Sequence, residues 1–204
     1  MKIDLLYPKI PENSDKFHGK CYAFEKYDGT NLHWKWNKED GWHLFGTRRT
    51  QFTLNAKGIA GFQFNHIECR NAPDLFNERL RDKLTMFLCK HGIFSNYEVI
   101  VFTEFHGPKS FAGGHEIDDD HELTIIDVML NGKLMEPEMF NQYFQKFGSA
   151  RVVYHGKYSG QFAEDVRNGK YNVNEGVVVK GIVDGEVFMT KVKTKDYLKR
   201  LKDR

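Results

Sequence analysis

The run Lys26-Tyr27-Asp28-Gly29-Thr30-Asn31 places a lysine two residues before an Asp-Gly turn, at the end of an apolar stretch. That arrangement suits a lysine acting as a nucleophile on phosphorus. A lysine amine is almost wholly protonated at neutral pH, with an ordinary pKa of about 10.4. It attacks only after losing that proton, which nearby cations favour, whether a divalent metal or other lysines. Glu104 lies inside the apolar run Val99-Ile100-Val101-Phe102-Thr103-Glu104-Phe105. A carboxylate there is costly unless it is hydrogen-bonded, for instance by a ribose hydroxyl, or faces solvent at a strand edge. Glu175 opens Glu175-Gly176-Val177-Val178-Val179-Lys180. It could hold a hydrated Mg2+ or Mn2+ through its oxygens, or simply start an exposed hairpin strand. Lys191 and Lys193 alternate along a strand and so share a face. Either an anion such as a nucleotide phosphate lies between them, or they are surface charge.

These residues need a frame of strands. Residues 20–27 read as a strand ending at Lys26, with Asp28-Gly29 as the turn. Residues 30–36 and 42–47 read as a hairpin. Asp74 is the expected N-cap of a helix near 75–91, with Phe76, Leu80, Leu84, Phe87 and Leu88 at helical spacing and Gly92 as the stop. Strands are expected at 97–105 and 122–130, with an acidic loop between them. Pro137 begins a helix whose Phe140, Phe144 and Phe147 share one face up to Gly148. Residues 176–183 and 186–193 form a second hairpin over Asp184-Gly185, and a short basic helix follows. Strands outnumber helices and pair as hairpins, so the expected class is α+β with antiparallel sheets flanked by helices.

Composition sets outer bounds. At 204 residues the expectation is a single domain over 1–204. Hydrophobic residues at 40% and aromatics at 14% are enough for a substantial core. Thirty basic and 28 acidic residues give a net charge of +2, which excludes a histone-like polycation but allows a local basic groove. Residues 191–204 form such a concentration, with seven Lys/Arg against Asp196 and Asp203. Cys21, Cys69 and Cys89 are odd in number and form no CxxC pair, which argues against a disulfide or zinc scaffold and for a reducing compartment. With no apolar run long enough for a signal peptide or membrane span, the expectation is a cytoplasmic protein with no membrane partner.

In this order, the motifs resemble those of the covalent nucleotidyltransferases, the superfamily of ATP-dependent DNA and RNA ligases and mRNA capping enzymes. Glu25-Lys26-x-x-Gly29-Thr30-Asn31 is most similar to the RNA ligases that seal nicked duplex RNA; DNA ligases and capping enzymes tend to carry Arg where Asn31 stands. The resemblance covers about residues 20–195. It implies a ligase-type domain built around an ATP pocket, with ATP and Mg2+ or Mn2+ as cofactors and nucleic acid ends or nicks, of RNA or of DNA, as partner. It implies that Lys26 carries a lysyl-AMP, that Glu25 lies beside the adenine, and that Asn31 lies near the ribose and phosphate. Phe45-Gly46-Thr47-Arg48-Arg49 is similar to the next family element; Arg48 is the preferred nucleotide contact and Arg49 the alternative. Glu104 would bind the ribose. Glu175, with help from Asp28, would organise the metal. Lys180, Lys191 and Lys193 would neutralise phosphates, the last two also serving catalysis.

The chain departs from the family pattern in three places. Leu123-Thr124-Ile125-Ile126-Asp127 offers no aromatic to stack on adenine. Asp28 stands where the most similar RNA ligases often have His. The expected domain carries no C-terminal OB-fold or helical module, which leaves room for a separate protein that supplies the grip on nucleic acid. A minimal DNA ligase, a capping-type guanylyltransferase and a non-catalytic end-binding module are the rival readings. His115-Glu116-Ile117-Asp118-Asp119-Asp120-His121 reads as a solvated acidic loop, not HExxH, and the 107–114 loop lacks a P-loop ending. Trp34, Trp36 and Trp42 fit either base stacking or core packing.

Overall fold

The computed structural model describes residues 6–12 and 17–204. Its strands are β1 (Lys20–Lys26), β2 (Thr30–Asn37), β3 (Gly41–Thr47), β4 (Phe52–Thr53), β5 (Val99–His106), β6 (Glu122–Leu130), β7 (Lys133–Leu134), β8 (Val152–Lys157), β9 (Gly176–Val183) and β10 (Glu186–Lys193). The helices are α1 (Ala56–Asn65), α2 (Ala72–Phe76), α3 (Asp82–Lys90), α4 (Pro137–Phe144), α5 (Gly160–Arg167) and α6 (Lys195–Lys202). All named strand pairs are antiparallel, in a four-stranded sheet β10-β9-β1-β8 and a six-stranded sheet β4-β3-β2-β5-β6-β7. This is the α+β class expected from the sequence.

The chain forms two compact units. The first comprises residues 1–8, 28–134 and 146–148 and holds the six-stranded sheet. The second comprises 9–27, 135–145 and 149–204 and holds the four-stranded sheet. The chain crosses from one to the other between Tyr27 and Asp28, inside the lysine motif.

In the first unit, alternation along β2 sends Leu32, Trp34 and Trp36 to a fully buried face. Trp34 stacks on Phe76 at 4.0 Å and on Phe45 at 5.4 Å, and its indole N–H donates to Thr103 Oγ1 at 2.9 Å. Trp42 donates to Thr85 Oγ1 at 2.8 Å. All three tryptophans are core, and stacked pairs of this kind add about 0.5–1.5 kcal/mol each beyond their burial. The helix expected near 75–91 begins earlier, at Ala72, because Pro73 can occupy the first turn without losing a helical hydrogen bond. Asp74 is therefore inside the first turn and does not cap it, and a π turn over Asn77–Arg81 separates α2 from α3.

In the second unit, one sheet face buries Cys21, Ala23, Val177, Val179 and Val192 against Phe162, Ala163 and Val166 of α5. Ser159 caps α5 by accepting from the Phe162 N–H at 3.1 Å. Thr194 does the same for α6, accepting from Tyr197 N–H at 3.2 Å. Cys21, Cys69 and Cys89 are all free. Among the described residues no helix is long and apolar enough to cross a membrane.

Candidate active site

In the second unit, strand register assembles the lysines. Lys26 of β1 lies opposite Gly176 of β9, which lies opposite Lys193 of β10. The next row on the same face is Phe24, Val178 and Lys191; the row after it is Tyr22, Lys180 and Met189. Period-two alternation thus places Lys26, Lys180, Lys191 and Lys193 on one face, opposite the apolar core face.

Glu175 sits at the head of β9, 2% exposed. Its Oε2 accepts from Lys26 Nζ at 2.7 Å and its Oε1 is 3.1 Å from Lys193 Nζ. The buried carboxylate is thereby paired with two ammonium groups that would otherwise repel each other. Gly176 makes this possible. Its φ is +152°, and a Cβ there would run into the Val192 carbonyl. Only glycine lets β9 approach β10 closely enough for Glu175 to reach Lys193.

The other two lysines have different surroundings. Lys180 is 2% exposed, with its ammonium 4.7 Å from the Phe24 ring centroid and 4.9 Å from that of Phe140. Lys191 is 3.4 Å from the Glu12 carboxylate, and its N–H donates to the Pro11 carbonyl at 3.0 Å. Glu25 alternates to the other side of β1 from Lys26. Its Oε2 accepts from Arg151 Nε at 2.9 Å and from the Tyr27 hydroxyl at 3.4 Å.

In the first unit, Asn31 on β2 lies directly opposite Glu104 on β5, on the sheet face away from the tryptophans. Asn31 Nδ2 is buried and has no hydrogen-bond partner. Arg48 follows β3; its Nε is also buried without a partner, and its guanidinium lies 5.8 Å from the Tyr7 ring centroid. Arg49 is exposed. Unpartnered buried donors are costly and are expected where a ligand supplies the acceptors. Sequence reasoning missed Tyr7 and gave Asp127 no role. Tyr7 is 2% exposed, packs on Phe102 at 4.9 Å, and donates its hydroxyl to Asp127 Oδ2, a fully buried carboxylate. Burial first, then the Asp127 and Glu104 charges, push the Tyr7 phenol well above its ordinary range, with Arg48 opposing them. No local sequence signal joins residue 7 to residue 127.

Asp28 is occupied by backbone: its Oδ2 accepts from Ala112 N–H at 2.7 Å and its Oδ1 from Gly113 N–H at 3.4 Å. Among the described residues no group of three or more His, Cys, Asp or Glu side chains is gathered for a metal ion. Each unit therefore presents a polar cluster: Lys26, Glu175 and Lys193 with two further lysines in one, and Asn31, Glu104, Arg48, Tyr7 and Asp127 in the other.

The fold is similar to solved ligase structures at low sequence identity. An RNA ligase of Naegleria gruberi solved with PPi matches with a TM-score of 0.63 at 17% identity, over 92% of this chain and 53% of that one. An archaeal ATP-dependent RNA ligase matches with 0.65 at 17% identity, over 95% of this chain and 49% of that one. A protein of Aquifex aeolicus named as an ATP-dependent DNA ligase matches with 0.59 at 17% identity, over 94% and 50%. This chain spans about half the length of those proteins. No curated relative matches it in sequence. The model of the RNA ligase family matches residues 19–193, nearly the whole length from the first strand through the last of the four lysines, and the chain belongs to that family.

Proposed function

We propose that the protein is an ATP-dependent RNA ligase that works through a covalent lysyl-AMP. Lys26 Nζ attacks the α-phosphorus of ATP; a P–N bond forms, the bond to pyrophosphate breaks, and the amine proton leaves. The AMP passes to the 5′-phosphate of an RNA end, and a 3′-hydroxyl then displaces it to seal the strand. The observation that carries this reading is the Lys26–Glu175–Lys193 cluster, at 2.7 and 3.1 Å, on a face that also bears Lys180 and Lys191. A face with four ammonium groups and one carboxylate suits a triphosphate. The unpartnered donors Asn31 Nδ2 and Arg48 Nε, with Glu104 beside Asn31, suit a ribose and its phosphates.

The donor set fits a divalent ion only in part. Glu175 is the carboxylate at hand, so Mg2+ or Mn2+ would be held by it together with water and phosphate oxygens. When bound, the ion would help neutralise the departing pyrophosphate. Variants of the Naegleria ligase have been solved with ATP and Mn, which supports the same pairing here.

Intact mass after incubation with ATP or GTP, in Mg2+ or Mn2+, tests the first step. An AMP-sized gain mapping to Lys26 is expected with ATP, and Lys26→Ala should lose both the adduct and sealing. Sealing that persists in Lys26→Ala would sink the assignment. The Aquifex match favours a second substrate, nicked DNA; a competition between nicked RNA and nicked DNA duplexes decides between them.

A further inference from the structure

The segment between β5 and β6 is folded on itself. Asp119 Oδ2 accepts from Lys109 N–H at 2.8 Å, Ser110 Oγ accepts from Gly107 N–H at 2.8 Å, and Phe111 pairs with Gly114. Two residues of the lysine motif grip this loop from outside. The Asp28 carboxylate takes the N–H groups of Ala112 and Gly113. The Thr30 hydroxyl bonds His115 Nε2 at 2.8 Å, and His115 Nδ1 bonds Ser110 Oγ at 2.9 Å. Between them, Gly29 lies so close to the Phe105 carbonyl that a Cβ would overlap it.

The gripped turn is strained. Ala112 has φ +53° and Gly113 φ +76°, and a non-glycine residue in that region is disfavoured by about 1–2 kcal/mol. A carboxylate accepting the Ala112 N–H at 2.7 Å is a charge-assisted bond of the kind that can hold it there. His115 in turn packs edge-on against Phe105 at 4.9 Å. With Thr30 it forms one wall of a cavity of about 380 Å3, whose other wall is the 65–69 turn. Thr30 lies opposite Phe105 in the register, whereas Asn31 lies opposite Glu104, so the cavity opens on the other sheet face from Asn31 and Glu104.

We infer that Asp28 is a positioning residue for the strand-joining steps, acting through the 107–121 loop and the Thr30–His115 wall, and is not a metal ligand. This rests on the ligase reading for its substrate, a polynucleotide end, and on this chain's own Asp at a position where similar RNA ligases often have His. The oxygens a metal would need are directed at amide protons. The face that the loop shapes is the one away from Asn31 and Glu104. Loosening the loop therefore weakens the grip on the strand and leaves the nucleotide-facing side of the sheet in place.

The experiment compares Asp28→Ala with Asp28→Asn in the full chain. Asn keeps an oxygen that can accept the Ala112 N–H but is a poor ligand for Mg2+; Ala keeps neither. Three quantities are measured: hydrogen exchange at the Ala112 and Gly113 amides, KM for a nicked RNA duplex against KM for ATP, and the Mg2+ dependence of adduct formation. Asp28→Ala is expected to lose protection at those amides and raise KM for the RNA about tenfold, with a much smaller change for ATP; Asp28→Asn should restore both. A higher Mg2+ requirement in Asp28→Asn would make Asp28 a metal ligand and overturn the inference. So would unchanged exchange, or an unchanged KM for RNA, in Asp28→Ala. Absence of any adduct in the wild type would instead overturn the ligase reading, and the exchange measurement would still test the grip on the loop.

Discussion

Replacing Glu175 with Gln keeps the shape of the side chain and removes the one charge that separates Lys26 from Lys193. The carboxylate is 2% exposed and has partners at 2.7 and 3.1 Å. Breaking a fully buried pair costs about 3–5 kcal/mol. Here the two lysine side chains remain 22% and 17% exposed, so water screens part of the loss and about 2 kcal/mol is the reasonable figure. For a chain of this length each kcal/mol moves Tm by about 2–4 °C, giving a drop of about 4–8 °C. A carboxylate this deeply buried is little screened by salt, so the drop should persist between low and moderate ionic strength. Nucleotide binding should respond in the opposite direction. With the negative charge gone, the lysine face becomes more positive, and ATP should raise the variant's Tm at least as much as it raises that of the wild type. Adduct formation on Lys26 should nevertheless collapse. Differential scanning fluorimetry with and without ATP, alongside intact mass, reads both. A variant that melts within about 1 °C of wild type would refute the energetic reasoning; one that forms adduct at the wild-type rate would refute the role given to Glu175.

Three further outcomes follow from the same geometry. Gly176→Ala forces a Cβ into the Val192 carbonyl at a backbone conformation reserved for glycine; a loss of at least about 2 kcal/mol is expected, seen in urea melts, with weaker adduct formation although Lys26 is untouched. Tyr7→Phe removes the hydroxyl that serves the buried Asp127 carboxylate, at a cost of about 1–3 kcal/mol; because the Tyr7 ring also backs Arg48, the ATP concentration needed for half-maximal adduct should rise, and an unchanged ATP dependence would detach Tyr7 from the site. Burial, helped by Lys35, pushes the His33 imidazole from 6.5 down to about 4. The unfolded chain then takes up a proton that the folded chain refuses, so this group's stability is complete above pH 6.5 and falls as pH drops toward 4. The loss is about 2 kcal/mol at pH 5, and His33→Gln should show a correspondingly shallower decline in urea melts between pH 7 and pH 5.

What the sequence disclosed depended on how local the signal was. The hairpin β9–β10 was legible because Asp184-Gly185 interrupts two valine-rich runs, and Asp184 does adopt φ +52° with Gly185 at +79°. The strand Glu122–Leu130 was legible from its apolar run. Helix α1 was not foreseen, because Gly58 and Gly61 lower its intrinsic propensity. It forms where Asn55 caps it and where Gly58, lacking a Cβ, can lie against the Thr53 carbonyl. Strand β8 was missed as well; it is a half-exposed strand that pairs only with β1, so its residues lack a continuous apolar run. In the candidate site, the lysines and Glu175 were legible because alternation along a strand predicts a shared face. The Tyr7–Asp127 bond was invisible because it joins positions 120 residues apart. The role of Asp28 was equally hidden, since its partners are backbone amides, which sequence identity does not mark.

The routing of the chain between its two units bears on how the protein can be made and handled. Neither unit is one continuous stretch: each is stitched from three segments, and β1 finds its partners β8 and β9 more than a hundred residues downstream. No single cut of the gene yields either unit alone, so truncation mapping of the kind used for tandem domains would return unfolded fragments. Pairing across such separations must wait for late parts of the chain to emerge, which favours slow, concerted folding over stepwise docking of finished halves. A version of one unit by itself would have to be built by joining its segments in a new order, and the link would have to replace the peptide that now runs from Tyr27 into Asp28.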